Sequence, residues 1–115
     1  MSYIDGVITA VPTINKPAYV AYSRACEAIF REFGAVGYSD CWGDDVPRGK
    51  LTDFFRAVQA ADDETVTFGW IVWPDKATRD AAWPKVMEDE RMAKLTMPFD
   101  GKRMVYGGFE VLLGG

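Results

Sequence analysis

The stretch TVTFGWIVW, residues 65–73, decides how this chain folds. β-branched and aromatic residues dominate it, and alternation predicts a strand. Val66, Phe68, Trp70 and Val72 line one face; Thr65, Thr67, Gly69, Ile71 and Trp73 line the other. Both faces carry large apolar side chains, so both require cover.

The segments on either side set the architecture. Upstream, YIDGVITAV (3–11) reads as a strand, with Gly6 marking a bulge or a close backbone contact. Asn15 is an expected N-cap ahead of Lys16-Pro17, where a missing N–H costs nothing. Tyr19, Tyr22, Cys26, Ile29, Phe30 and Phe33 recur at helical spacing through 16–33, and Gly34 stops that helix. AVGYSDCW (35–42) alternates as a second strand, with Val36, Tyr38, Asp40 and Trp42 on one face. GDDVPRGK (43–50) is a loop. Residues 51–60 suit either a short helix capped by Thr52-Asp53 or an irregular edge segment.

Downstream, Asp75 caps a helix starting at Lys76, with Ala81, Trp83, Val86 and Met87 on its buried side. Pro84 lacks the N–H that would bond the Asp80 carbonyl, which predicts a kink or restart there. A looser polar segment (88–96) follows, then the turn Pro98-Phe99-Asp100-Gly101. Lys102 and Arg103 are expected to open the last strand (103–113), pointing to opposite faces, one of them pairing with Asp100. Gly107-Gly108 predicts a bulge or a close approach within it. The order β-α-β-(α)-β-α-β implies a single domain over 1–115. Its fold class is α+β, a ferredoxin-like antiparallel sheet with helices on one face. Helices on one face leave the other bare, and the third and last strands are apolar there too. A second copy, sheet against sheet, is the simplest cover, so a homodimer is expected.

Composition excludes several functions. The 115 residues suffice for a core without disulfides or metal. Formal net charge is −4 and the cations are scattered, which argues against nucleic acid as a partner. Apolar runs are strand-sized, so no membrane span is expected. The start of the chain lacks a basic region followed by an apolar run; with two cysteines, a cytoplasmic protein with reduced thiols is the expectation. Histidine is absent, which removes Ser-His and Cys-His catalysis and the commonest metal ligand. No cofactor or metal site is expected. GDDVPRGKLT superficially resembles a phosphate-binding loop, but five residues separate Gly43 from Gly49 where four are needed. Asp40, Asp44 and Asp45 do not match the spacing of a calcium loop. Cys41, among acids that oppose a thiolate, reads as buried or half-buried and inert; Cys26 reads as core.

The remaining candidates are few. Asp40 is a candidate base and Arg91 a candidate for a substrate carboxylate; Trp42, Trp70 and Arg103 are candidates for ligand contact, with Trp70 expected nearest a pocket between sheet and helices. The tryptophans equally suit core and dimer contacts.

The motifs DCWGDDVPRGKLTDF (40–54), WPDKATRD (73–80) and MPFDGKRMVYGGFE (97–110) resemble the YbaA-like family of small bacterial proteins of unknown function. The resemblance runs from YIDGV to GGFEVL. It departs at Glu90, where the family suggests proline, and at Pro84. It implies membership of the dimeric α+β barrel superfamily, which includes cofactor-free monooxygenases, haem-handling enzymes, isomerases and ligand-binding proteins. Lack of histidine argues against a haem role. Some family members carry a label linking them to signal recognition particle RNA, to which the acidic balance lends nothing. Two readings follow: a small cytoplasmic homodimer binding a hydrophobic or aromatic ligand between sheet and helices, as a cofactor-free enzyme or a binder; or a non-catalytic dimeric regulatory or protein-interaction module.

Overall fold

The computed structural model describes residues 2–114. Strands β1 (Tyr3–Pro12), β2 (Gly37–Trp42), β3 (Glu64–Trp73) and β4 (Val105–Glu110) form one antiparallel sheet in the order β2-β3-β1-β4. Helices α1 (Lys16–Glu32), α2 (Phe54–Ala57), α3 (Lys76–Glu88) and α4 (Glu90–Lys94) connect them. This is the ferredoxin-like α+β arrangement that the sequence implies. Each long helix joins strands that are not neighbours, so the two crossovers interleave and β1 and β3 fill the centre.

Register assigns the faces. Tyr3 lies opposite Trp73, Asp5 opposite Ile71 and Thr9 opposite Thr67, all beneath the helices. There Cys26, Ile29 and Phe30 of α1 and Ala82 and Val86 of α3 pack on Ile71 and Trp73. Short carboxylate caps start the later helices. Asp53 accepts from the Arg56 N–H and Asp75 from the Thr78 N–H, each at 2.7 Å. Asn15 occupies its cap position, yet its amide donates instead to the Pro98 carbonyl at 3.1 Å. Gly34, with φ of +118°, turns the chain out of α1.

Several expectations change. Helix α3 runs unbroken through Pro84, and the restart falls at Asp89, which caps α4. Residues 101–103 form a 3-10 turn, so β4 begins only at Val105 and Lys102 and Arg103 do not alternate across a strand. Register is regular past Gly6 and Gly107-Gly108, without a bulge. The reason for Gly108 is space. A Cβ there would lie 2.5 Å from the Tyr3 hydroxyl and 2.8 Å from Arg79 Nη2.

Residues 51–60 do contain a helix, and it lies on the other side of the sheet. Val58, Phe55 and Val46 pack on Ala10 and Val66, covering one end of the face opposite α1 and α3. The rest of that face stays bare: Ile4, Phe68, Trp70, Val72, Val105 and Phe109 carry no charge among them, and Phe109 is 62% exposed. All of them but Val72 border, with Glu110 and Val111–Leu113, a largely apolar concavity of about 760 Å³.

One buried carboxylate fastens α3 to the sheet. Asp5 accepts Nε1–H from both Trp73 and Trp83 at 2.9 Å and pairs with Arg79 at 2.7 Å. The Arg79 guanidinium in turn sits 5.3 Å from the Tyr3 ring centroid. Asp5→Ala would leave the cation and two indole N–H groups without their acceptor. We expect a loss of about 3 kcal/mol in urea denaturation, because one partner of a mostly buried pair is removed while its counterion keeps some access to water.

Candidate functional site

A cleft lies between α1 and the outer strand β2. Residues on one side of α1 (Lys16, Tyr19, Ser23 and Arg24) face Asp40 and Trp42 of β2 across about 200 Å³. The helical repeat brings Tyr19 and Ser23 onto one face, four residues apart, and strand alternation brings Asp40 and Trp42 up beside them.

Asp40 is the centre of the cleft. Its Oδ1 accepts the Tyr19 hydroxyl at 2.7 Å and its Oδ2 the Ser23 hydroxyl at 2.5 Å. The Tyr19 hydroxyl also approaches Thr67 Oγ1 at 3.3 Å, and Thr67 bonds Thr9 in the buried centre of the sheet. This chain of hydroxyls ends in the core, so it holds the carboxylate in place without a path for protons to cross. Burial, reinforced by the Asp40 charge, pushes the Tyr19 phenol well above its ordinary range. Tyr19 therefore remains a donor at neutral pH.

Gly69 makes this possible from the neighbouring strand. It stands directly opposite Asp40, where a Cβ would lie 2.6 Å from Asp40 Oδ1 and 2.8 Å from the Ser39 carbonyl oxygen. Trp42 forms a wall with Tyr19 (ring centroids 6.1 Å apart), and Lys16 Nζ lies 5.5 Å from the Trp42 centroid.

The sequence candidates separate. Asp40 and Trp42 meet in the cleft. Trp70 lies on the opposite face, stacked edge-on against Phe68 (5.5 Å), so it does not reach the space between sheet and helices. Arg91 is held by Glu32 (2.7 Å) and Asp89 (2.9 Å), and it pulls the Asp89 carboxyl down to about 2. Arg103 reaches both oxygens of Glu64 at 2.7 Å, Asp100 at 3.1 Å and the Gln59 carbonyl at 2.8 Å. Both arginines tie segments of this chain together. Cys26 is buried as expected, whereas Cys41 is exposed, because strand alternation turns it to the bare face.

Four contributors went unread in the sequence. Tyr19 appears there only as part of an apolar stripe, Ser23 and Arg24 as polar residues beside it, and Gly69 as a small residue in a strand. Their signal is spatial: only the pairing of β2 with β3, and α1 lying over β2, brings them to Asp40.

A four-stranded antiparallel sheet with the β-α-β-β-α-β order defines a ferredoxin-like α+β protein. The chain belongs to the family described as "Protein of unknown function (DUF1428)", which matches residues 2–101. It is similar to "Uncharacterized protein YbaA" of Escherichia coli, at 50% identity over 115 residues covering 98% of each chain. The protein of that name in Shigella flexneri matches to the same extent.

Two predictions follow from this geometry. Gly69→Ala should force the Asp40 carboxylate or the backbone of β2 to move, lowering stability by about 1–3 kcal/mol in chemical denaturation. Arg103→Met addresses pH. Arg103 holds Glu64 below its ordinary value of 4.5, so the stabilisation is complete above that pH and is lost as pH falls through the depressed folded value. The variant should therefore differ most from the parent in thermal melts near neutral pH, and least once Glu64 is protonated.

Proposed function

We propose that this protein is a cytoplasmic homodimer that holds a small hydrophobic or aromatic molecule in the cleft between α1 and β2. The observation that carries this reading is Asp40, a half-buried carboxylate beside Trp42 without an ion-pair partner among the described residues. A carboxylate held by two hydroxyls in a cleft walled by Tyr19 and Trp42 is positioned for a donor that comes from outside the chain. Both of its oxygens already accept a hydroxyl, which supports binding over proton abstraction.

The bare sheet face supports the dimer. Four strands about 4.8 Å apart and about six residues long span roughly 400 Å². That matches the largest apolar patch of a typical lone domain, which is often a functional surface. Leu112 and Leu113, the latter 97% exposed, extend it toward the ~800 Å² that one partner gives to a standard interface. A largely apolar face, with Glu110 at its border, is complementary to its own copy across a twofold axis. Two free thiols fit a reducing compartment, and no helix among the described residues is long and apolar enough to cross a membrane.

Light scattering at micromolar concentration should give twice the chain mass, and Phe109→Glu should give a single-chain mass. A monomeric parent protein would refute the dimer. A thermal-shift screen against aromatic acids, quinones and acyl compounds should find a stabilising ligand whose effect is lost in Trp42→Ala; a screen without one would refute the cleft.

A further inference from the structure

We infer that the cleft between α1 and β2 selects a single-ring aromatic monoanion that also carries a neutral hydrogen-bond donor, the chemistry of a hydroxyaryl carboxylate. The inference rests on the cleft being a ligand site, as proposed above, and names what it takes.

Charge pairing within the cleft is incomplete in a particular way. Lys16 and Arg24 line it as cations, and Asp40 and Glu27 as anions. Glu27 is taken by Arg31, at 2.9 Å. Lys16, Arg24 and Asp40 make no ion pair among the described residues, with each other or with anything else. The uncommitted charge in the cleft is thus two cations and one anion. A monoanionic ligand neutralises the remainder, whereas a cationic ligand increases it.

Asp40 sets the second requirement. An ionised carboxylate has about four acceptor sites, and the two hydroxyls from Tyr19 and Ser23 use two. The rest can take only a donor. A second carboxylate brought against them would be repelled, while a phenolic O–H or ring N–H bonds to them. The ligand's acid therefore belongs at Lys16, beside Trp42, and its donor at Asp40.

Shape sets the third. The volume of about 200 Å³ lies below the range of drug-sized pockets, which suits one ring rather than two. The Trp42 and Tyr19 rings supply an aromatic wall for it, with Lys16 already over Trp42 where a carboxylate would meet its ammonium.

Isothermal titration with three probes tests this: 4-hydroxyphenylacetate, phenylacetate and tyramine. The hydroxy acid should bind about tenfold or more tighter than phenylacetate, since it alone among the acids offers Asp40 a donor. Tyramine, a cation, should bind weakest. Asp40→Asn should collapse the difference between the two acids, and Lys16→Met should weaken both acids alike. Equal affinity of the two acids, or tightest binding by tyramine, would overturn the inference and leave the cleft standing as a site. So would three silent probes while the broader screen yields a ligand lost in Trp42→Ala. Failure of that broader screen as well would remove both readings. The comparison among probes needs no variant, so it holds even where a substitution disturbs folding.

Discussion

The carboxylate of Asp5 is the point on which the helical layer is fixed. It is a buried acid near the start of a central strand, beneath a helix, where an unpaired charge could not remain. Its three partners come from separate places: Trp73 from the end of β3, and Arg79 and Trp83 from successive turns of α3. Strand pairing brings Trp73 near Asp5; the helix must then adopt one rotation and one height for Arg79 and Trp83 to reach the same two oxygens. Apolar packing alone is less selective, since Ala82 and Val86 would tolerate a small slide along Ile71. Gly108 completes the arrangement by leaving room beside Arg79 on the neighbouring strand.

The same device recurs at Asp40. Again a carboxylate sits on the helix-facing side of the sheet, and again a glycine stands opposite it in the next strand; a Cβ at Gly108 would meet Tyr3 and Arg79, and one at Gly69 would meet Asp40 itself. The difference lies in the partners. Asp5 is given a cation and two indole donors; Asp40 is given hydroxyls alone. One carboxylate is neutralised within the fold, and the other has no ion-pair partner among the described residues. The contrast separates an acid neutralised by the fold from the one on which the proposed site rests, and neither sequence spacing nor residue type distinguishes them.

That limit accounts for what was legible in the sequence. Alternation in 65–73 and the helical stripe in 16–33 report local burial, and local burial places the elements to within a few residues. Proline at 84 misled because the one missing hydrogen bond did not outweigh the contacts of α3 on both sides of it. Arg103 misled because its partners, Glu64 and Gln59, lie some forty residues away, and only the folded chain shows them. Trp70 and Trp42 looked equivalent as aromatic strand residues. Their opposite fates follow from register, which assigns alternate residues to opposite faces and which the sequence of one strand does not determine.

β2 is where the two faces of the molecule meet. It is an edge strand paired only to β3, and it sends Asp40 and Trp42 toward α1 while Ser39 and Cys41 face the bare side. Its position is therefore set by its pairing to β3 and by the hydroxyls of α1 above it. A strand held on one edge alone has more freedom to shift than the central pair. In the proposed dimer, cover on the apolar side would therefore restrain β2 and help to keep Asp40 in reach of Tyr19 and Ser23.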